Sequence, residues 1–458
     1  MASSCCAGGY ALVLVLAAPP GTDEPAPTPE IGVACPGAPL PAERAPDGTP
    51  LPAEVAAAAG RLQPQLFAAQ RARDPDAVAA AVCAQREALG AWQGVAEAVP
   101  ERRAAPAAPL DPEALLTKYL ALLQRDLLGQ EPWVAAGGSL HGDALSQPLR
   151  EACAVVQAYA ELLPWAGAAR PQLAAALAQG ANYLVQVQRP DGVFPFPDLT
   201  DDAARFMTRC RASGDSEEVC RARMPRALEL AVLAKDAWER AGRPAGVLVD
   251  GWFAQDEDGG LQFDTGSCGA ALLIAARALD EPRYAAAARR AGEWAMSEEL
   301  VPNWNYNAFS VELQALLAAE DARVGDLAGA TRWTAAALDR ARLGVLPGAL
   351  ADGRWYDPHN ARLVYHHILL RALARLAAVV DDAKVAATLD AALARSVEEI
   401  ERQGAAGWSD GIAAYLAARA AGRQPGPTLW RLVQAAAPGG NPATLQLASY
   451  LAATLPAR

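Results

Sequence analysis

The stretch TGSCGAALLIAARALDEPRYAAAARRAGEWAMSEE (265–299) decides the fold class. Apolar residues recur at three- and four-residue spacing on both sides of Glu281-Pro282. That spacing is the mark of a helix face, and proline cannot sit inside a helix, so it punctuates the run. The reading is two helices, 265–279 and 281–299, joined so closely that they fold back as an antiparallel hairpin. The same grammar repeats outward. Helices are expected at 150–168 and 171–188, split by Arg170-Pro171, and at 217–241. Further pairs follow at 305–320 and 323–342, at 360–380 and 382–402, and at 409–422 and 427–436, with a last helix at 442–455. Upstream, 54–72, 75–98 and 111–128 carry the same periodicity.

Composition agrees with this reading and closes off other classes. The chain has 458 residues, 52% of them apolar and 20% charged. That apolar share builds a sizeable core and excludes global disorder. Alanine, the best helix former, is abundant, while β-branched and aromatic residues are sparse, which excludes an all-β fold. Arginine outnumbers lysine 37 to 3, the skew of GC-rich coding expected of a bacterial source. The net charge of -12 and the absence of any basic run argue against a nucleic-acid partner.

Residues 1–20 contain one apolar run, YALVLVLAA (10–18), too short to span a bilayer but suited to a signal-peptide core, although no basic residue precedes it. The expectation is a secreted or periplasmic protein without a transmembrane anchor. Residues 21–53 read as a disordered, proline-rich linker; eleven prolines lie between 19 and 52. Residues 54–149 form an N-terminal helical region and 150–458 the main domain. Of eight cysteines, only Cys210 and Cys220 look like a local pair, flanking a polar loop of closable length. A disulfide there suits an exported chain; two reduced thiols are the alternative. No Cys/His grouping has zinc spacing.

Successive hairpins are separated by longer loops rich in glycine, aromatic and polar residues: 188–202, 250–267, 301–309, 351–360, 407–410 and 439–442. A ring of hairpins explains this pattern. Inner helices carry small apolar residues, outer helices cover them, and the long loops gather at one mouth. The expected fold is therefore all-α, an α/α toroid that is an incomplete or full six-hairpin barrel with a disordered N-terminal segment. A helical bundle or open superhelix is the alternative. Within GANYLVQVQRPDGVF (180–194) stand a tyrosine, a glutamine and an Asp-Gly-x-aromatic turn. This resembles an element recurring in α/α-toroid proteins, among them terpene cyclases, prenyltransferase-like chains and carbohydrate-active families. The resemblance implies structural roles for Tyr183, Gln188, Asp191, Gly192 and Phe194, with the glutamine and the turn tying a helix end to the next loop. The pattern over 150–455 resembles six-hairpin glycosidases and toroidal polysaccharide lyases.

Against the alanine background, five of six asparagines and three of four histidines fall at predicted helix starts in the second half of the chain. Asn303, Trp304, Asn305, Tyr306, Asn307, Phe309 and Glu312 form a first cluster. Helix capping accounts for one asparagine but poorly for three. Aromatic faces beside amides suit a sugar, whose C–H faces stack and whose hydroxyls bond amides. Arg354, Trp355, Tyr356, Asp357, His359, Asn360, Arg362, Tyr365, His366 and His367 form a second cluster. On one helix His359 and His366 would share a face and point imidazoles towards the mouth; buried, satisfied histidines are the alternative. The third cluster includes Trp252, Phe263, Asp264 and the acidic run 256–264, which could hold calcium if it is not simply a solvated loop. Asp264 reads either as a general acid or base or, with Thr265, as a helix cap. Trp408 and Asp410 add to the mouth.

Two mechanisms suit these residues, both acting on a carbohydrate. In β-elimination from a uronate polymer, a Tyr or His removes the proton next to the carboxylate while Asn, His or Arg neutralises it. Tyr306, His359, Tyr365 and His366 are the proton-handling candidates. Asn303, Trp304, Asn305, Asn307, Trp355, Tyr356, Asn360 and Arg362 are the substrate-binding ones, with Trp252, Trp408 and Asp410. In glycoside hydrolysis two carboxylates flank the bond, drawn from Asp264, Glu312, Asp357 and Asp410. The residue bias favours the lyase. A non-catalytic glycan-binding or scaffold toroid is a further alternative, as is a terpene-cyclase-like protein. Against the last, DLTDD (198–202) lacks the Asp-x-Asp-Asp acid of protonating cyclases. A thioester at Cys268 is excluded because Ala270 and Ala271 stand where Glu and Gln are needed. No resident metal or cofactor is otherwise expected, and no phosphate loop, nucleophile elbow or HExxH occurs.

Overall fold

The structure, a computed structural model, describes residues 30–36, 53–90 and 149–194, a few residues between 207 and 225, and residues 259–403 apart from 358. Among these residues the chain is all-helical, and the only extended pairing is an isolated bridge between Ala349 and Trp355. The helices are α1 (Ala53–Arg71), α2 (Pro75–Gly90), α3 (Arg150–Leu162), α4 (Arg170–Val187), α5 (Gly259–Leu279), α6 (Pro282–Ser297), α7 (Trp304–Val324), α8 (Leu327–Gly344), α9 (Leu363–Ala377) and α10 (Ala383–Gln403).

Local chemistry sets most of the boundaries. Pro282 opens α6 behind Glu281, whose side chain accepts from the Arg283 N–H. α7 stops at Gly325, held at φ 85°, and Asp326 accepts from the Gly329 N–H to start α8. Asp382 accepts from the N–H groups of Lys384 and Val385 ahead of α10. These bonds and Arg342 hold its carboxyl below the usual carboxylate range, against the opposing effect of burial.

The helices pair as α1–α2, α3–α4, α5–α6, α7–α8 and α9–α10. One member of each later pair forms an inner row: α3 packs on α5, α5 on α7 and α7 on α9. α7 is buried almost all round, from Trp304 to Asp321, as a helix between two layers must be. Close approach within the row needs glycine: a Cβ on Gly266 would lie 2.7 Å from the Phe309 backbone. The first hairpin shares the second half's core, where Leu66, Val78, Val82 and Leu89 pack with Trp304, Trp355 and Tyr356.

The Asp-Gly turn after α4 is a structural clamp. Gly192, at φ 96°, would put a Cβ 2.2 Å from the Arg290 carbonyl. Gln188 Nε2 donates to the carbonyls of Gly192 and Ala287, and Arg290 donates to Gln188 Oε1. An equivalent turn follows α8. Gly353, at φ 83°, sits against the Ala391 carbonyl of α10, and the buried Trp355 takes the place of Phe194. Each turn thus docks an outer helix onto the outer helix of a later hairpin.

Three expectations change. α5 begins at Gly259, so the run 259–264 is helix and not an ion-wrapping loop, and Asp264 and Thr265 are not caps. The extra turn is held by tertiary bonds: Gln262 donates to the Glu299 carbonyl, and Thr265 Oγ1 accepts from the Phe194 N–H. The proline-rich run is anchored over residues 30–36. Cys35 is disulfide-bonded to Cys83 of α2, and Arg86 and Lys384 donate to the carbonyls of Val33 and Gly32. A second disulfide, Cys153–Cys268, staples α3 to α5. Cys220 is also disulfide-bonded, and its expected partner Cys210 lies outside the described residues. No helix among the described residues is long and apolar enough to cross a membrane.

Candidate functional site

The starts of α5, α7 and α9 meet, and they bring the first two polar clusters together. Asn303 holds the cap position of α7 but caps nothing. Its Oδ1 accepts instead from Asn305 Nδ2 at 2.8 Å and from Asn360 Nδ2 at 3.2 Å. Asn305 Nδ2 also donates to Asn360 Oδ1 at 2.8 Å. Asp357 Oδ1 accepts from both the backbone N–H and the Nδ2 of Asn360. All four residues are buried. Two amide atoms, Asn303 Nδ2 and Asn305 Oδ1, are left with no hydrogen-bond partner among the described residues. Such orphans are uncommon in native cores and mark places where a ligand or water belongs.

Around this network stand rings. His359 stacks on Tyr365 with centroids 3.8 Å apart and planes inclined by 31°. The Arg362 guanidinium lies 5.4 Å from the Tyr365 ring centre. On the α5 side Phe263 packs on Phe309, with the Tyr306 ring edge-on at 6.4 Å. Phe263, Tyr306, Arg362 and Tyr365 are partly exposed, whereas His359 and Asp264 are buried. The arrangement offers aromatic faces, a guanidinium and amide hydrogen-bonding groups around an imidazole and a phenol.

Other sequence candidates serve the scaffold. Asn307 donates to the carbonyls of Val301 and Gly344 and accepts from the Val301 N–H, closing the turn before its own helix. Trp304 is 1% exposed and packs edge-on to Tyr356. Trp355 donates to the Val345 carbonyl, and Tyr356 donates to Gln85 Oε1 of α2. Burial pushes the Tyr356 phenol well above its ordinary range, which removes it as a base. Glu312 is paired with Arg371 at 2.7 Å inside the core. His359 precedes α9 and so does not share a helix face with His366. His366 contacts the Ala392 carbonyl at 2.9 Å and His367 the Ser396 hydroxyl at 2.7 Å, so both imidazoles face α10. Trp252, Trp408 and Asp410 lie outside the described residues. No group of three or more His, Cys, Asp or Glu among the described residues is placed to hold a metal ion.

The sequence reading passed over Gln262 and Arg340. Arg340 is 3% exposed and donates to the carbonyls of Ala295 and Glu298, closing the end of α6. Its Nη1 reaches Gln262 Oε1 and Asn307 Oδ1 at 3.4 Å, so it braces the same corner. An arginine in ALDRARLG is not distinguishable from its exposed neighbours by spacing alone. Comparison with protein-family profiles, curated proteins and solved structures finds no match to the chain.

Proposed function

We propose that the hairpins belong to an α/α toroid whose mouth, at the starts of α5, α7 and α9, binds a carbohydrate and cleaves a uronate polymer by β-elimination. The observation that carries the reading is the amide network. It joins residues from two loops, leaves one donor and one acceptor of buried amides unused, and adjoins His359, Tyr365 and Arg362. Uronate residues present the hydroxyls and carboxylate that such groups recognise.

In this mechanism Arg362 and the unused Nδ2 donor of Asn303 neutralise the substrate carboxylate and draw charge out of the neighbouring C–H bond. His359 takes the C5 proton. The electron pair forms the C4–C5 double bond, and the C4–O bond to the preceding sugar breaks. The departing oxygen takes a proton from Tyr306. The hydrolase alternative is less well supported. It needs two available carboxylates; Glu312 is committed to Arg371, Asp357 holds Asn360 and Asp264 is fully buried, which leaves only Asp410, outside the described residues. The Cys35–Cys83 and Cys153–Cys268 disulfides support the export assigned to the chain, because such bonds persist in oxidising compartments.

The test is incubation with a panel of uronate polymers, following the ultraviolet absorbance of the unsaturated product. Activity that is lost in His359→Ala and Tyr306→Phe, with circular dichroism unchanged, supports the reading. Folded protein that binds these polymers without turnover would leave a glycan-binding role. Neither turnover nor binding across the panel overturns the assignment.

A further inference from the structure

A polar-lined pocket lies between α6, α7 and α8. It has a volume of about 320 Å³ and is lined by Met296, Gln314, Arg340 and alanines of α8, with Arg73, Arg332 and Asp339 at its rim. Two features set it apart from a packing gap. Gln314 is 1% exposed, and neither its Nε2 nor its Oε1 has a hydrogen-bond partner among the described residues. It sits in the helix that is otherwise buried on nearly every side, where an apolar residue would pack without that penalty.

The second feature is charge. Arg73 pairs with Asp339, and Arg332 pairs with Glu293. Arg340 has no such partner: its contacts among the described residues are neutral, namely backbone carbonyls and the amide oxygens of Gln262 and Asn307. Its Nη1 contacts are all long, at 3.4 Å. The pocket wall therefore carries one buried positive charge that no carboxylate among the described residues contacts directly, with Arg73 repelling it and Glu298 favouring it at longer range, next to an amide that presents both a donor and an acceptor. Desolvation, helped by the charge of Arg73 and opposed by Glu298, pushes the Arg340 guanidinium down to about 10, so it stays charged at neutral pH.

We propose that this pocket is a binding site for a small hydroxycarboxylate. The carboxylate places a negative charge directly opposite Arg340 and accepts from Gln314 Nε2. The hydroxyl donates to Gln314 Oε1, and Met296 and the alanines cover the carbon skeleton. The volume lies at the small end of ordinary ligand pockets and accommodates a skeleton of a few carbons. The pocket shares Arg340 with the corner at the starts of α5 and α7, but the proposal does not rest on the carbohydrate reading.

Thermal-shift and calorimetric titrations of the full chain test this with lactate, acetate and glycerol as probes. Lactate is expected to bind saturably. Acetate, which lacks the hydroxyl, is expected to bind about tenfold more weakly, and glycerol, which lacks the charge, not measurably. Arg340→Met removes bonds that close α6 and is a poor probe if it fails to fold. Gln314→Met keeps the volume and removes the orphaned amide. It is expected to melt at or above the wild-type temperature while losing at least about tenfold in lactate affinity. Equal binding of lactate by Gln314→Met, or no saturable response to lactate in wild type, overturns the proposal.

Discussion

Asn305 Nδ2 donates to Asn360 Oδ1 at 2.8 Å, joining the start of α7 to the loop before α9 across 55 residues of sequence. Asn360 also donates to Asn303 and Asp357, so it is the hub of the network. Asn360→Ala strips partners from three buried groups at once. The expected loss is about 1–3 kcal/mol of stability in chemical denaturation, with uronate turnover abolished. Unchanged stability would show that water replaces the amide freely.

Gly353→Ala tests the second Asp-Gly turn. The new Cβ would stand 2.2 Å from the Ala391 carbonyl, at a φ of 83° that disfavours any L side chain. Backbone meets backbone, so no side chain can swing aside. A loss of about 2 kcal/mol or more is expected, read as a lowered denaturation midpoint. Gly192→Ala, the same change on the first turn, should act alike.

His367 sets an acid limit. Burial, with the charge of His366 adding to it, holds its pKa well below the ordinary 6.5. The unfolded chain therefore takes up a proton near pH 6.5 that the folded chain refuses. Stability is full above that pH and falls as the pH drops below it, until the folded-state pKa is reached. His367→Gln should flatten this slope in denaturation midpoints measured from pH 7.5 down to pH 5, a range chosen to bracket the unperturbed value.

The Cys153–Cys268 disulfide closes a loop of 115 residues and staples two inner helices. Replacing both with serine should lower stability by about 2–5 kcal/mol under non-reducing conditions. Reductant should lower wild type but leave the stability attributable to this staple unchanged in the double variant.

Arg371→Met would leave the Glu312 carboxylate buried without its cation. A loss of about 3–5 kcal/mol is expected. Adding Glu312→Gln should recover much of it, because an amide tolerates the same site uncharged. A double variant as unstable as the single one would show that packing, not charge, dominates there.

The α3–α4 and α5–α6 pairs were legible because their punctuation is local, with Pro171 and Pro282 in the first turns of α4 and α6, whereas the reading began the next helix at 323, ahead of the Gly325 and Asp326 that set the boundary. The start of α5 was not legible, because the turn before Asp264 is held by Glu299 and Phe194, residues distant in sequence. Residue types also located the polar corner, since Asn303, Asn305, Asn360, His359 and Tyr365 do come together. Their neighbours were misread for one physical reason. At a helix start, an Asn, Trp or His can face a mouth or satisfy the backbone of the next layer, and spacing does not distinguish the two. Asn307, Trp355, His366 and His367 do the second. The Cys153–Cys268 pairing has no local signature at all.

The clamp on residues 30–36 and on the first hairpin bears on how the chain is made. Gln70 bonds the Leu343 carbonyl 273 residues later, Gln85 receives Tyr356 after 271, and Gly32 waits for Lys384 across 352. During synthesis the earliest hairpin leaves the ribosome with its apolar face uncovered. Its partners arrive on the order of tens of seconds afterwards. That half of the molecule therefore cannot fold as it emerges. It depends on being shielded until α9 and α10 exist, and chain-termination products ending before α9 should be the aggregating species.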